Sequence, residues 1–280
     1  STLEKEITFR FLKARKKDGF LNVISIFSFI GISLGVAVLI IVMSVMNGFR
    51  TELINKIVGF NSHITIKSYD DNGIDQSKLN NNNLKSISEN LVFSNSGEAI
   101  ILKNNTSKGI VLRGYLTKEF SNLAIIKNDK LKGDRSKLNK NSISIGNELS
   151  FSLDLKIGDK ITLMSPSGVE TIIGSMPKQK TFEITSIFNS GLAEFDNNIA
   201  IINLDTLDEF FDFEQKDRNL EIYLKDPKNI ESQKQIVQKI FDQEFIFTWA
   251  DMNSSLFSAL KVERNVMFII LSLIIIVAAF

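Results

Sequence analysis

Ile24–Met46 reads ISIFSFIGISLGVAVLIIVMSVM, and this stretch decides what kind of protein the chain is. About 20 apolar residues cross a bilayer as one helix, and here they come without a break. The stretch lies inside a run without any charged residue, from Gly19 to Phe49. A cleaved leader has an apolar core of roughly 7–15 residues and then a small-residue cut site. This run is too long for that, so a retained span is expected. A second uncharged run, Asn265 to Phe280, reads as the start of another span. The chain is therefore expected to be a fragment of a larger membrane protein, with its second span truncated.

Charge sets the orientation. Lys5, Arg10, Lys13, Arg15, Lys16 and Lys17 precede the first span, while only Arg50 and Lys56 follow it closely. The positive-inside rule puts the N-terminus in the cytoplasm and residues 50–264 outside. The expected domains are an arm at 1–18, a first transmembrane helix at 19–49, an exported domain at 50–264 and the second span from 265 to 280. Leu3, Ile7 and Phe11 recur at i, i+4 and i+8, which suits a helix lying in the membrane interface. A solvated basic flank suits the arm equally well.

Composition excludes several chemistries. The 280 residues hold 33 Lys+Arg and 32 Asp+Glu, a net charge of +1, which argues against a nucleic-acid partner. There is no Cys, hence no disulfide, thiol nucleophile or Cys-type metal site. A lone His, His63, cannot build a His cluster. No catalytic residue, metal or cofactor is expected.

The exported domain reads as mixed α and β. Gly59 offers a helix stop, and Ser62–Lys67 alternates as a strand. Gln76–Asn90 reads as a weak helix with a solvated loop at Asn80–Asn83. Ala99–Leu102, Gly109–Arg113, Ile161–Met164, Phe182–Phe188 and Ile199–Ile202 read as strands, and Gly146–Leu153 and Leu204–Phe211 as short helices. Leu220–Leu224, Ile230–Phe241 and Phe245–Trp249 form a β-α-β run. Asp251 offers an N-cap for a helix entering the second span unbroken. One composite α+β domain is expected, with a β-rich insertion at about 104–215.

Three motifs tempt. Gly31-Ile-Ser-Leu-Gly35 matches the hydrolase elbow G-x-S-x-G, but it sits mid-span, where Ser28, Gly31, Ser33 and Gly35 better suit close helix approach. Gly174–Thr181 resembles the end of a phosphate-binding loop, but Gln179 stands where Gly is needed and no strand leads in. Met176-Pro177-Lys178-Gln179-Lys180 lies in a long connection between β-rich segments. Such connections bind partners or are ordinary loops. His63 reads as solvated or capping.

The ordered pieces Arg10–Arg15 with Gly19-Phe20, Gly31–Val36, Ser44–Phe49 (SVMNGF), Gly59-Phe60, Pro177 with Gln179, Trp249, and Leu256–Lys261 with Glu263-Arg264 resemble the membrane subunits of the lipoprotein-releasing ABC transporter, the LolC/LolE type. The resemblance covers nearly the whole chain. It implies an inner-membrane protein with four spans and a large periplasmic domain in two parts, Porter and Sabre. It also implies a separate ATPase subunit (LolD-like), a second membrane subunit, homologous or identical, lipoprotein substrates and a periplasmic carrier (LolA-like). A hook loop docks the carrier in that family, and Pro177 and Gln179 fall on matching positions. Met46 falls where the family contacts the lipoprotein's acyl chains. Val42, Met43 and Met46 together would line an apolar path, and flexible Met suits chains of variable shape. The Ser165–Ser175 approach is longer and more polar than the family's, and the Asn-rich loop departs from it too. Two rivals stand beside this reading: a MacB/FtsX-like permease that transmits motion for efflux or cell-wall hydrolase control, and a two-span periplasmic ligand sensor.

Overall fold

The computed structural model describes residues 3–7, 19–69, 71–103, 106–123, 130–171 and 174–279. Most of the basic arm, with Phe11, lies outside the described residues; residues 3–7 are helical, with Leu3 and Ile7 exposed. The chain forms two compact units. One holds residues 1–53 and 253–280, the other Ile54–Met252.

In the first unit, helix α1 (Gly19–Phe60) contributes the apolar segment. Among the described residues one segment, Ile26–Phe60, is long and apolar enough to cross a membrane, and an 18-residue stretch within it has a mean hydropathy of 2.8. Between Ser28 and Arg50 its half-buried positions are Ser28, Gly31, Ile32, Gly35, Leu39, Val42, Met43, Met46 and Arg50. Their spacing near 3.5 residues draws one seam along the helix, as in a left-handed pair. Ser33 lies off that seam and is exposed. On the other helix of the unit the more buried positions include Leu260, Met267, Leu271 and Ile275.

The second unit is built on ten strands in one hydrogen-bonded sheet. In chain order these are β1 (Ile64–Lys67), β2 (Ser88–Lys103), β3 (Thr106–Tyr115), β4 (Leu131–Gly133), β5 (Ser142–Gly146), β6 (Lys160–Thr171), β7 (Gly174–Phe188), β8 (Ile199–Asn203), β9 (Asn219–Leu224) and β10 (Phe245–Thr248). The pairings β2–β3, β3–β8, β8–β5, β5–β7, β7–β6 and β6–β2 return to their start, so six strands close a barrel. An open antiparallel wing, β10-β1-β9-β2, continues from it. The expected α+β domain is thus sheet-dominated, with short helices filling gaps. The last β-α-β run does not place β9 beside β10, because β1 lies between them.

Two cores lie on opposite faces of this sheet. The barrel interior takes Ala99, Ile101, Ile110, Leu112, Ile143, Ile145, Ile161, Leu163, Phe182, Ile184, Ala200 and Ile202. Its helical plugs are α4 (Asn147–Ser152), through Leu149, and α6 (Leu204–Phe211), through Leu207, Phe210 and Phe211. A second cluster holds Phe60, Val92, Tyr115, Phe120, Phe188, Ile199, Ile201 and Tyr223. Strand β2 serves both. Ser88, Val92 and Ser94 are buried in its first half, then Asn95, Ala99 and Ile101 in its second. The buried face changes between Ser94 and Asn95. The remaining helices of this unit are α2 (Asn82–Ile87), α3 (Thr117–Phe120), α5 (Ala193–Asn198), α7 (Ile230–Ile240) and α8 (Trp249–Met252).

Local chemistry corrects three expectations. Gly59 does not end α1: the helix runs to Phe60, whose ring stacks on Phe195 at 4.8 Å and is buried. The Asn tract is no loose loop, because Asn81 caps α2 by accepting from Asn83 and Leu84 N–H. Asp251 is not the N-cap. Thr248 is, in a reciprocal box where Thr248 N–H donates to Asp251 at 2.9 Å and Asp251 N–H to Thr248 Oγ1 at 3.1 Å. The helix is also interrupted there, α8 giving way to α9 (Ser254–Ala279) at Asn253.

Candidate functional site

The segment expected as a loop at Met176–Lys180 is the returning strand of a long β6–β7 hairpin. Met176 pairs with Val169, Pro177 with Gly168, Gln179 with Met164 and Lys180 with Leu163. Strand β2 supports β6 only from Thr162 to Met164, and β5 supports β7 only from Glu183 onward. Past those points the hairpin is a two-stranded ribbon with a bulge between Met164 and Gly168. Its turn, residues 172–173, lies outside the described residues. Pro177 costs the ribbon little, since an edge position needs no N–H from it.

An unsupported hairpin is marginal in water, and this one is braced. Lys178 pairs with Asp212, and its ammonium also donates to the Glu209 carbonyl at 3.3 Å. Lys180 lies 3.9 Å from the Glu209 carboxylate. Both lysines thus reach the C-terminal end of α6, where cations suit the helix dipole. Asp212 takes the left-handed conformation that ends the helix, at φ 58°. Asn203 caps its start, and Arg218 holds Asp208 at 2.7 Å and Asp205 at 2.6 Å. Burial pushes the Asp208 carboxyl up, against the pull of Arg218. Strand alternation then leaves Pro177 and Gln179 exposed on the other face, while Met176, on the lysines' face but nearer the turn, is exposed as well. The five residues therefore divide: two anchor the ribbon and three face solvent. Lys180, in a strand and paired, does not sit in a phosphate loop.

In the first unit a small pocket is lined by Met43, Met46, Asn47 and Arg50 from α1 and by Leu260, Glu263, Arg264 and Met267 from α9. Val42 shares their seam and is half-buried. Most of the α9 lining falls in the block quoted for the family resemblance but was not assigned to the acyl path, although Leu260 and Met267 are seven residues apart, a helical repeat that could have marked them. Further along the seam, a methyl group added to Gly35 would stand 3.3 Å from Ile275 Cγ1. Close approach thus explains the glycine, and G-x-S-x-G carries no hydrolase geometry here.

His63 is buried rather than solvated, and it caps the last turn of α1. Leu224 N–H donates to Nδ1 at 2.7 Å, so Nε2 bears the proton and donates to the Val58 carbonyl at 3.2 Å. Burial lowers its pKa, against a weaker pull from Glu89. Beside it lies a buried polar cluster that sequence reasoning missed. Glu221 accepts from Ser94 at 2.6 Å, from Tyr223 at 3.0 Å and from Tyr115 at 3.1 Å. Burial pushes both phenols well up. Arg113 lies 4.9 Å over the Phe60 ring and donates to Asn61 at 2.9 Å. Among the described residues no group of three or more His, Asp or Glu is arranged to hold a metal.

Residues 25–240 match the family described as MacB-like periplasmic core domain. The lipoprotein-releasing system transmembrane protein LolC of Neisseria meningitidis serogroup B is 30% identical over 286 residues, covering 100% of this chain and 68% of the relative. LolC of Xylella fastidiosa (strain Temecula1) is 26% identical, covering 99% and 68%. LolE of Haemophilus influenzae is 26% identical, covering 98% and 68%.

Proposed function

The chain belongs to the LolC/LolE family of lipoprotein-releasing membrane proteins and contains a MacB-like periplasmic core domain, and from that premise we propose that it is a membrane subunit of an ATP-driven complex that draws outer-membrane lipoproteins from the inner membrane and hands them to a periplasmic carrier. The observation that carries this reading is the 30% identity to a LolC protein across the whole of this chain. A MacB-like core alone would also suit efflux or hydrolase control. The similarity to LolC runs past the end of that core at residue 240 and through the C-terminal helical segment, which favours lipoprotein release.

The physics of the task fits the residues available. Exposing an acyl chain to water costs about 0.8 kcal/mol per CH₂. Removal from the bilayer therefore needs an energy source and a sheltered path. The energy comes from a separate ATPase subunit, the partner that the family resemblance implies. Val42, Met43 and Met46 offer the path, with adaptable methionine against chains of variable shape. Met176, Pro177 and Gln179 on the braced ribbon meet the carrier, while Lys178 and Lys180 hold the ribbon to α6. The N-terminal arm is cytoplasmic and the sheet domain periplasmic.

Two measurements test this. The complete protein, purified in detergent, should bring an ATPase subunit with it and release lipoprotein from proteoliposomes only with ATP and carrier. Absence of both would overturn the reading. In permeabilised cells a single Cys at Asn82 should react with a membrane-impermeant thiol reagent, and one at Lys5 only after lysis. The reverse pattern would overturn the orientation.

A further inference from the structure

The two ends of the ten-stranded sheet are treated differently. At one end, β4 is three residues long, carries Lys132 and finishes at Gly133 with φ 99°. Short length and a lysine are common protections against edge-to-edge pairing. At the other end, β10 reads Phe245-Ile-Phe-Thr248, with no charge, proline or bulge. Among the described residues its only strand neighbour is β1. Phe245 is 48% exposed and Phe247 37%. Tyr69, 71% exposed, lies 5.1 Å from Phe245, and Lys67 lies 5.9 Å over Phe247. An unprotected edge beside three exposed aromatic rings is unusual for a surface that stays in water.

We infer that β10 is where this subunit's periplasmic domain joins a second copy of the chain, by antiparallel pairing of the two β10 strands about Ile246. The inference rests on the reading above and takes the second membrane subunit, which the resemblance leaves homologous or identical, to be identical. The register follows from the backbone. Trp249 N–H bonds the His63 carbonyl at 3.1 Å, in line with the β1–β10 register. In an antiparallel ladder bonded and non-bonded pairs alternate. Residues 247 and 245 therefore bond β1, and the Ile246 N–H and C=O point away from it. A two-fold axis through that position makes both Ile246 bonds reciprocal, as an isologous interface requires.

The side chains agree with this register. Phe245 of each copy falls opposite Phe247 of the other, and cross-strand aromatic pairs are favourable. The only residue that meets itself is the uncharged Ile246, and Glu244 falls opposite Thr248 rather than a like charge. Four residues a side are too few for a stable dimer of free domains. Two chains anchored in one membrane meet at a high effective concentration, so a small patch suffices.

The chain has no Cys, which makes the test direct. In membranes containing the complete chain and its partners, Ile246→Cys should form a reducible dimer on mild oxidation. Bonded antiparallel pairs hold their Cα atoms about 5.5 Å apart, within disulfide reach. Phe151→Cys, at a residue 86% exposed elsewhere in the domain, is the collision control. Ile246→Cys should cross-link roughly tenfold faster than the control. Should Ile246→Cys fail to accumulate, Phe245→Cys co-expressed with a differently tagged Phe247→Cys gives the same reading as a mixed dimer. Equal rates at 246 and 151, or no dimer from either design in a complex that still co-purifies with its ATPase, would overturn the β10 pairing and leave the transport reading standing. Loss of the ATPase association in the unsubstituted protein would instead overturn the transport reading.

Discussion

Replacing Pro177 by Gly and Gln179 by Ala together should weaken carrier binding without loosening the domain. Pro177 restricts its own φ to near −65°, and giving up that restriction costs about 0.4–1 kcal/mol. Gln179 is exposed and has one acceptor and two donors to offer. One or two lost hydrogen bonds cost about 0.5–1.5 kcal/mol each. The sum, about 1–4 kcal/mol, is a loss of roughly 5- to 800-fold in affinity. Neither residue lies in either core, Pro177 lies beyond the part of β6 that pairs with β2, and Gln179 is exposed where that support ends, so the melting temperature should hold. Lys178→Ala is the informative contrast. Its pair with Asp212 is largely exposed on the aspartate side, 74%. Such pairs contribute about 0–1 kcal/mol, so this change should cost no more than about fivefold. Calorimetry with the complete protein in detergent and the purified carrier measures all three. Unchanged affinity in a double variant that melts normally would move the docking site elsewhere. A larger loss from Lys178→Ala than from the double variant would refute the division of the ribbon into an anchoring and a binding face.

Other changes probe the rest of the molecule. Phe60→Ala removes a buried ring stacked on Phe195 and covered by Arg113. It should cost about 3–5 kcal/mol, seen as a melting point lowered by roughly 6–20 °C; the single Trp249, itself buried, reports it by fluorescence. His63 is buried neutral with a lowered pKa. Its contribution to stability is present above about pH 6.5, the unfolded value, and is lost as pH falls through the lower folded value. His63→Gln should flatten the fall in melting temperature between about pH 7 and pH 5, and an unchanged slope would remove His63 as its source. Met46→Asp should reduce lipoprotein release while expression and ATPase association persist, because a charge near the end of a span is tolerated on insertion. Normal release would take Met46 out of the acyl path.

Local periodicity made much of the fold legible. Leu204–Phe211 emerges with the bounds its amphipathic pattern suggests, because that pattern is also its packing. The barrel was not legible. Its closure depends on parallel pairs between β3 and β8 and between β5 and β7, and no neighbouring residues encode those. Gly59 misled because a permitted stop is not an obligatory one: burying Phe60 outweighed it. Thr248-Trp-Ala-Asp251 was readable as a capping box, but the weight fell on Asp251 alone. Glu221 was hidden by alternation. In LEIYL it falls on what reads as a polar face, yet that face is closed by Tyr115, Tyr223 and Ser94. Met176–Lys180 reads in sequence as a connecting loop rather than a strand, and its division into two faces was not legible, since it depends on where the end of α6 lies.

Strand β2 also sets how this domain can change over evolutionary time. Its first half serves one core and its second half the other, and the crossover at Ser94–Asn95 contains no loop that could absorb an altered length. Strand side chains alternate with a period of two, so losing or gaining one residue there turns every later side chain over. Ala99 and Ile101 would leave the barrel, and Glu98 and Ile100 would enter it. Insertions and deletions should therefore collect in the connections and in the ribbon, while the length of β2 stays fixed among proteins that keep both cores.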